Sequence, residues 1–222
     1  MVGLFDSGSG GLNTVRYIKE HYPCVDLVYF IDRNRAPYGT KTKEELIGIT
    51  CENIDRLIDM GAERVLIACC TASTVHKLLP TRYRDASLPI ISEVAKRAEC
   101  STTMGRIGVI ATNHTVNTHA FCNALPSCDV YELAIQELVE MIDGGLNDTS
   151  ITDSDKMWLT KALQPILTVG IDTLILGCTH FPMLRGAIEE IAAPYGVKTV
   201  IDSARVGAEV LISELLKQKI RK

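Results

Sequence analysis

Two cysteines stand in matching settings: Cys69 within Leu66-Ile67-Ala68-Cys69-Cys70-Thr71, and Cys178 within Leu174-Ile175-Leu176-Gly177-Cys178-Thr179. A thiol is a useful proton carrier near neutrality, because its ordinary pKa of about 8.5 is easily moved by amides or a nearby cation. One thiol on each side of a flat carbanion could take a proton from one face and return one to the other, which is what racemisation requires. A single reactive cysteine would instead suggest acyl transfer, with a histidine close enough to activate it. Candidate acid–base partners stand nearby: Asp6 after the first apolar run, and His180 two positions beyond Cys178. His180 could stabilise a thiolate or relay its proton.

The elements that must position these groups read as βαβ units, since short Val/Ile/Leu-rich runs alternate with amphipathic stretches. Strands are expected at Val2–Phe5, Leu27–Ile31, Arg64–Ala68, Leu88–Ile91, Arg106–Ile110, Val130–Leu133, Thr173–Leu176 and Lys198–Ile201. The clearest helix is Lys43–Met60, with Leu46, Ile49, Ile54, Leu57 and Ile58 near helical spacing and Glu44, Glu45, Glu52 and Asp59 opposite. The two halves also repeat. Gly3-Leu4-Phe5-Asp6-Ser7 matches Gly108-Val109-Ile110-Ala111-Thr112 at an offset of 105, the two cysteine runs match at 109, and Ile91-Ser92-Glu93 matches Ile201-Asp202-Ser203 at 110. Three matches in one order predict two similar α/β halves joined near Glu93–Gly105. Both Cys-Thr dipeptides lie just past a strand's carboxyl end, where open parallel sheets collect ligands, so two facing halves would present two thiols to one cleft.

The loop Asp6-Ser7-Gly8-Ser9-Gly10-Gly11, followed by Asp32 after the next strand, also has a dinucleotide-like look. Asn13 stands where the third glycine belongs, and no Gly-Lys-Ser/Thr follows, so an anion such as a carboxylate at the amides and hydroxyls of Ser7 and Ser9 is the better use of that turn. With 222 residues, 46% of them hydrophobic, the chain can bury one large core or two small ones. A net charge of -4 with interspersed signs gives no footprint for nucleic acid or an anionic membrane, and the basic cluster Lys217 to Lys222 reads as a solvated terminus. No apolar run is long enough to span a bilayer, and Met1 to Gly11 turns polar too soon for a signal peptide. The eight cysteines are too few and too irregular for a secreted disulfide framework, so reduced thiols in a cytoplasm are expected. The Cys178/His180 doublet lacks a second such doublet, so no zinc site is expected.

The chain resembles the glutamate racemase branch of the aspartate/glutamate racemase superfamily over nearly its whole length. The resemblance is carried by Phe5-Asp6-Ser7-Gly8-Ser9-Gly10-Gly11-Leu12, Pro37-Tyr38-Gly39-Thr40-Lys41, Ala68-Cys69-Cys70-Thr71-Ala72-Ser73, Gly105-Arg106-Ile107-Gly108-Val109-Ile110-Ala111-Thr112 and Leu176-Gly177-Cys178-Thr179-His180-Phe181-Pro182. It implies an α/β fold of two pseudo-symmetric domains, each a mostly parallel sheet flanked by helices, with the active site in the cleft between them and no pyridoxal phosphate or metal. The expected division is residues 1–92 with 204–222 as one domain and 93–203 as the other. By position, the resemblance makes Cys69 and Cys178 the catalytic thiols, Asp6 the partner of Cys69 and His180 the partner of Cys178. Ser7, Pro37, Tyr38, Gly39, Cys70, Thr71, Thr112, Thr115 and Thr179 would hold the substrate or shape its pocket. For the family's glutamate in the second domain, Leu133-Ala134-Ile135-Gln136-Glu137 offers Glu137.

One departure bears on substrate identity. Where the family has Cys-Asn-Thr, this chain has Cys69-Cys70-Thr71, and a thiol is a weak hydrogen-bond partner for an amino-acid head group. Three readings follow: cofactor-independent racemisation of glutamate, supplying D-glutamate for peptidoglycan; the same chemistry on aspartate or another amino acid; or a non-catalytic relative binding a metabolite or a protein partner. Intact Cys69, Cys178, Asp6 and His180 weigh against the third. The expected partner is a small amino acid, with no nucleic acid or membrane, and a homodimer is compatible with the sequence.

Overall fold

The computed structural model describes residues 1–220, with side chains through Lys217. The basic cluster beyond Lys217 therefore lies outside the described side chains. Among the described residues eight strands form: β1 Val2–Asp6, β2 Leu27–Ile31, β3 Arg64–Ile67, β4 Ser87–Pro89, β5 Arg106–Ala111, β6 Asp129–Ala134, β7 Thr173–Gly177 and β8 Thr199–Asp202. The helices are α1 Leu12–His21, α2 Lys43–Asp59, α3 Cys70–Ser73, α4 Thr81–Ala86, α5 Ile90–Ser101, α6 Asn113–Asn117, α7 Ala120–Ala124, α8 Gln136–Asp143, α9 Asp153–Leu167, α10 Arg185–Ala192 and α11 Ser203–Ile220.

Two all-parallel four-stranded sheets result, ordered β2-β1-β3-β4 and β6-β5-β7-β8. The chain divides into two compact units, Met1–Glu93 with the chain from Ala204 onward, and Val94–Ser203. Central strands β1 and β7 are buried at every residue, which is why they are apolar but for Asp6 and Thr173 at their ends. No described helix is long and apolar enough to cross a membrane.

The repeat is visible in the strand registers. Gly3 pairs with Val65 and Gly108 with Leu174, which preserves both the 105 and the 109 offsets. The glycines have a duplicated cause as well. A Cβ on Gly3 would collide with Ala62 and Leu57, and one on Gly108 with Ile171 and Ile166, residues again 109 apart. In each unit a helix and the turn after it come so close to the first strand that a side chain there would force its neighbours to shift. The third match is displaced: Leu88 pairs with Leu66 and Ile201 with Ile175, so Leu88, and not Ile91, occupies the position of Ile201. The strand expected to reach Ile91 ends at Pro89, which has no amide hydrogen for a ladder. Ile90 N–H then donates to Ser73 Oγ at 2.9 Å as α5 begins.

The helix expected over Lys43–Met60 forms as α2, opened by a capping box in which Glu45 N–H donates to Thr42 Oγ1 and Thr42 N–H donates to Glu45 Oε2. Its buried face is Leu46, Ile49, Thr50, Asn53, Ile54 and Leu57. Ile58 turns outward and is exposed, while polar Thr50 and Asn53 take inward places that apolar counting could not assign.

In the second unit Asp172 ties the loop before β5 to the strand β7. Its carboxylate accepts from Thr102 Oγ1 at 2.6 Å, Thr103 N at 2.7 Å, Thr103 Oγ1 at 2.9 Å and Met104 N at 2.8 Å. Burial opposes the charge, but these donors outweigh it and bring the group down to about 2. The native state therefore binds this proton less readily than the unfolded chain, and its contribution is present above the unfolded carboxylate range. Lowering the pH from 5 to 2 is expected to remove stability on the order of 2 kcal/mol through this group. Asp172→Asn should flatten that part of a urea-unfolding pH series, and an unchanged slope would contradict the assignment.

Candidate active site

In the first unit the turn after β1 and the turn after β3 meet at the carboxyl edge of the sheet. Ser7 N–H and Gly11 N–H donate to the two oxygens of Asp6, at 2.9 and 2.5 Å, and close the turn around a fully buried carboxylate. Gly11 has no room for a side chain, since its Cβ would meet Asp6 and the Tyr29 hydroxyl. Cys69 caps α3 in an extended conformation, and its Sγ lies 3.4 Å from Ser7 Oγ. The thiol is buried, and burial, followed by the negative charge of Asp6, pushes it up to about 12 against hydrogen bonding from Ser7 and backbone amides. In the free protein Cys69 is held as a neutral thiol.

Behind this turn is a buried network that sequence reading did not anticipate. Asp32 accepts from Arg35 Nε at 2.6 Å, Tyr38 Oη at 2.6 Å and Asn53 Nδ2 at 3.2 Å, while Arg35 Nη2 donates to Asn53 Oδ1 at 2.7 Å. Tyr38 is thus anchored through its hydroxyl, and the short turn Tyr38–Thr40 packs against α3 next to Cys69. A cis Ala36-Pro37 bond precedes it, placing Pro37, Tyr38 and Gly39 in one loop. The three donors converge on one oxygen, Oδ2, so Asp32 serves to hold this loop. Cys70 and Thr71, the first residues of α3, are both buried.

In the second unit the pseudo-equivalent edge carries different chemistry. Ala111 pairs with Gly177, so Thr112 and Cys178 leave neighbouring strand ends. Thr112 caps α6, accepting from Thr115 N–H, and its hydroxyl lies 3.1 Å from that of buried Thr115. Cys178 and Thr179 are buried. Cys178 Sγ lies 3.7 Å from His180 Nδ1, and His180 Nε2 lies 3.2 Å from Asp143 Oδ1. With the Nε2 proton turned to Asp143, Nδ1 is left as the acceptor for the thiol proton. This is the nucleophile, base and orienting-carboxylate arrangement, applied to a thiol.

The carboxylate beside His180 is that of Asp143, at the far end of the helix that carries Glu137. Glu137 sits in the first turn of α8 and is exposed, whereas Asp143 ends that helix beside the Phe181–Leu184 turn. Six residues along a helix is about 600°, which places the two side chains on different faces. Nothing in the apolar periodicity marks Asp143. Its only local sign is its position as the last helical residue before Gly144-Gly145.

The chain is similar to known racemases in sequence and in fold. The family model described as Asp/Glu/Hydantoin racemase matches residues 15–211. A glutamate racemase of Neisseria meningitidis serogroup A is 37% identical over 214 residues, which is 94% of this chain and 77% of that protein. The crystal structure of a glutamate racemase isoform from Bacillus anthracis superposes with a TM-score of 0.85 at 30% identity, covering 99% of this chain and 82% of the other. A second, from Francisella tularensis in complex with D-glutamate, gives 0.81 at 27% identity over 98% and 81% of the two chains.

Proposed function

The chain belongs to the Asp/Glu/hydantoin racemase family, and from that premise we propose that it interconverts L- and D-glutamate without a cofactor, using Cys69 and Cys178 as the two proton carriers. The observation that carries the reading is the pair of buried thiols at pseudo-equivalent strand ends, each with its own polar partner: Ser7 at Cys69, and His180 at Cys178. Their difference supports a direction. Cys69 rests as a thiol, whereas Cys178 has an imidazole acceptor, so the resting pair is one acid and one base.

From L-glutamate, the Cys178 thiolate takes the α-proton and the Cys69 thiol gives one to the opposite face of the carbanion. The product is D-glutamate, with Cys178 now protonated and Cys69 a thiolate, and a proton must return between them before the next turnover. The amides and hydroxyl at Ser7, with Thr71, Thr112, Thr115 and Thr179, are assigned to the substrate's charged ends, and the cellular role is supply of D-glutamate for peptidoglycan. A panel of L- and D-amino acids in deuterated water, with deuterium at Cα followed by NMR, tests this directly. Exchange confined to glutamate supports the reading, whereas exchange on aspartate alone would transfer the same chemistry to a different substrate.

Cys70 sets a second test. Buried at the start of α3, Cys70 stands where the family that this motif resembles has Asn, so Cys70→Asn would add a donor and an acceptor beside the head group as assigned above. The expected result is a KM for glutamate lowered by up to roughly tenfold, about 1.4 kcal/mol. Loss of glutamate turnover in this variant would show that the pocket has been re-formed around the thiol.

Asp143→Asn tests the orienting carboxylate. It leaves a neutral acceptor at His180 Nε2 but removes the charge that favours the imidazolium. A fall in kcat of about tenfold or more, equivalent to ~1.4 kcal/mol, is expected with L-glutamate as substrate. Glu137→Gln is expected to change nothing.

A further inference from the structure

A second group of chemically capable side chains lies in the same unit as Cys178 but uses none of the racemisation residues. His119, Cys122 and Glu132 bring one ring nitrogen, one sulfur and one carboxylate oxygen within 4.8 Å of one another. His119 precedes α7, Cys122 lies inside it, and Glu132 projects from β6, against which α7 packs. We propose that these three residues bind zinc(II), through a ring nitrogen, Sγ and a carboxylate oxygen, with water in the fourth tetrahedral position.

Three observations carry this. First, the donor set of imidazole, thiolate and carboxylate is the one a borderline-soft dication takes, and three protein ligands leave the fourth place open. Second, the Glu132 side chain is only 5% exposed, and its Oε1 is buried without a hydrogen-bond partner while Oε2 is 2.9 Å from His119 Nδ1. A buried carboxylate oxygen with no donor is costly, and a cation at that point removes the cost. Third, the imidazole is 69% exposed, which gives an ion a route in from solvent. His119 is also the non-glycine residue with positive φ, at 49°, among the described residues, and this turns its ring back toward Glu132.

A cysteine ligates a dication as its thiolate. Binding of the dication replaces the S–H bond with S–Zn and releases that proton to solvent. The expectation of no zinc site treated Cys178/His180 as the sole Cys/His doublet; His119 and Cys122, three residues apart, are a second one.

The test is titration of the EDTA-stripped protein with cobalt(II) as a spectroscopic stand-in, then displacement by zinc(II). One equivalent of cobalt is expected to give a thiolate-to-cobalt charge-transfer band that zinc abolishes, with release of a proton. Cys122→Ser should lose the band, and Glu132→Gln should weaken binding by about tenfold or more. Circular dichroism and an unchanged melting temperature in EDTA establish that both variants fold, and zinc should raise the melting temperature of the wild type but not of Cys122→Ser. Retention of the band in Cys122→Ser, its loss in Cys178→Ser, or absence of any cobalt binding would overturn the proposal. Racemase activity does not enter these readouts, so failure of the glutamate reading and failure of the zinc site are distinguishable.

Discussion

Serine at position 69 or at position 178 is expected to lower kcat/KM for racemisation by about 10²–10⁴-fold, the range that a positioned general acid or base contributes. An alcohol is too weak an acid to exist as its conjugate base near neutrality, and it is also a poorer proton donor to the carbanion than a thiol. The two substitutions should not be equivalent. In Cys69→Ser, the Cys178, His180 and Asp143 chain is intact, so proton abstraction from the L enantiomer should survive even though its return to the opposite face fails. In Cys178→Ser, what survives is Cys69 with Ser7, and abstraction from the D enantiomer requires the thiolate form of Cys69, which burial and Asp6 disfavour, so this half-reaction should be the slower of the two. A β-substituted glutamate that eliminates its leaving group on losing the α-proton reads each half-reaction separately. Near-normal racemisation in either variant would remove the two-thiol mechanism, and elimination from the wrong enantiomer would reverse the assignment of faces.

Removal of the Asp32 carboxylate is expected to be the most damaging single change outside the thiols. Asp32 is 4% exposed and gathers Arg35, Tyr38 and Asn53, of which Tyr38 and Asn53 are themselves buried. Asp32→Ala leaves a guanidinium and a hydroxyl without their acceptor, and breaking a buried pair in this way costs about 3–5 kcal/mol. For a chain of this size that is a melting temperature lower by roughly 10 °C. Because Tyr38 and its neighbours Pro37 and Gly39 pack beside α3, the loss should also appear as a raised KM in whatever fraction stays folded. Tyr38→Phe removes only one donor and should cost about 1 kcal/mol. Comparable melting temperatures for the two variants would show that the network is not held together through Asp32.

The sequence alone determined those features that local chemistry imposes. β1, β3, β5 and β7 are legible because strands buried on both faces of a parallel sheet must be largely apolar, as Val2 to Phe5 and Leu174 to Gly177 are. The duplication is legible because Gly3 and Gly108 are fixed by the same helix-to-strand approach in each unit. The two thiols are legible because each follows such a strand. Tertiary structure alone decided which carboxylate lies beside His180. Asp143 and Glu137 share one amphipathic helix and one chemistry, and only the packing of α8 against the turn after Cys178 selects Asp143. Asp32 is joined to Asn53 across 21 residues, and Glu132 to His119 across 13, by the approach of separate elements. A polar residue that is buried with its partner leaves no period in the chain. Its role is set by a contact distance, and contact distances exist only after the chain has folded.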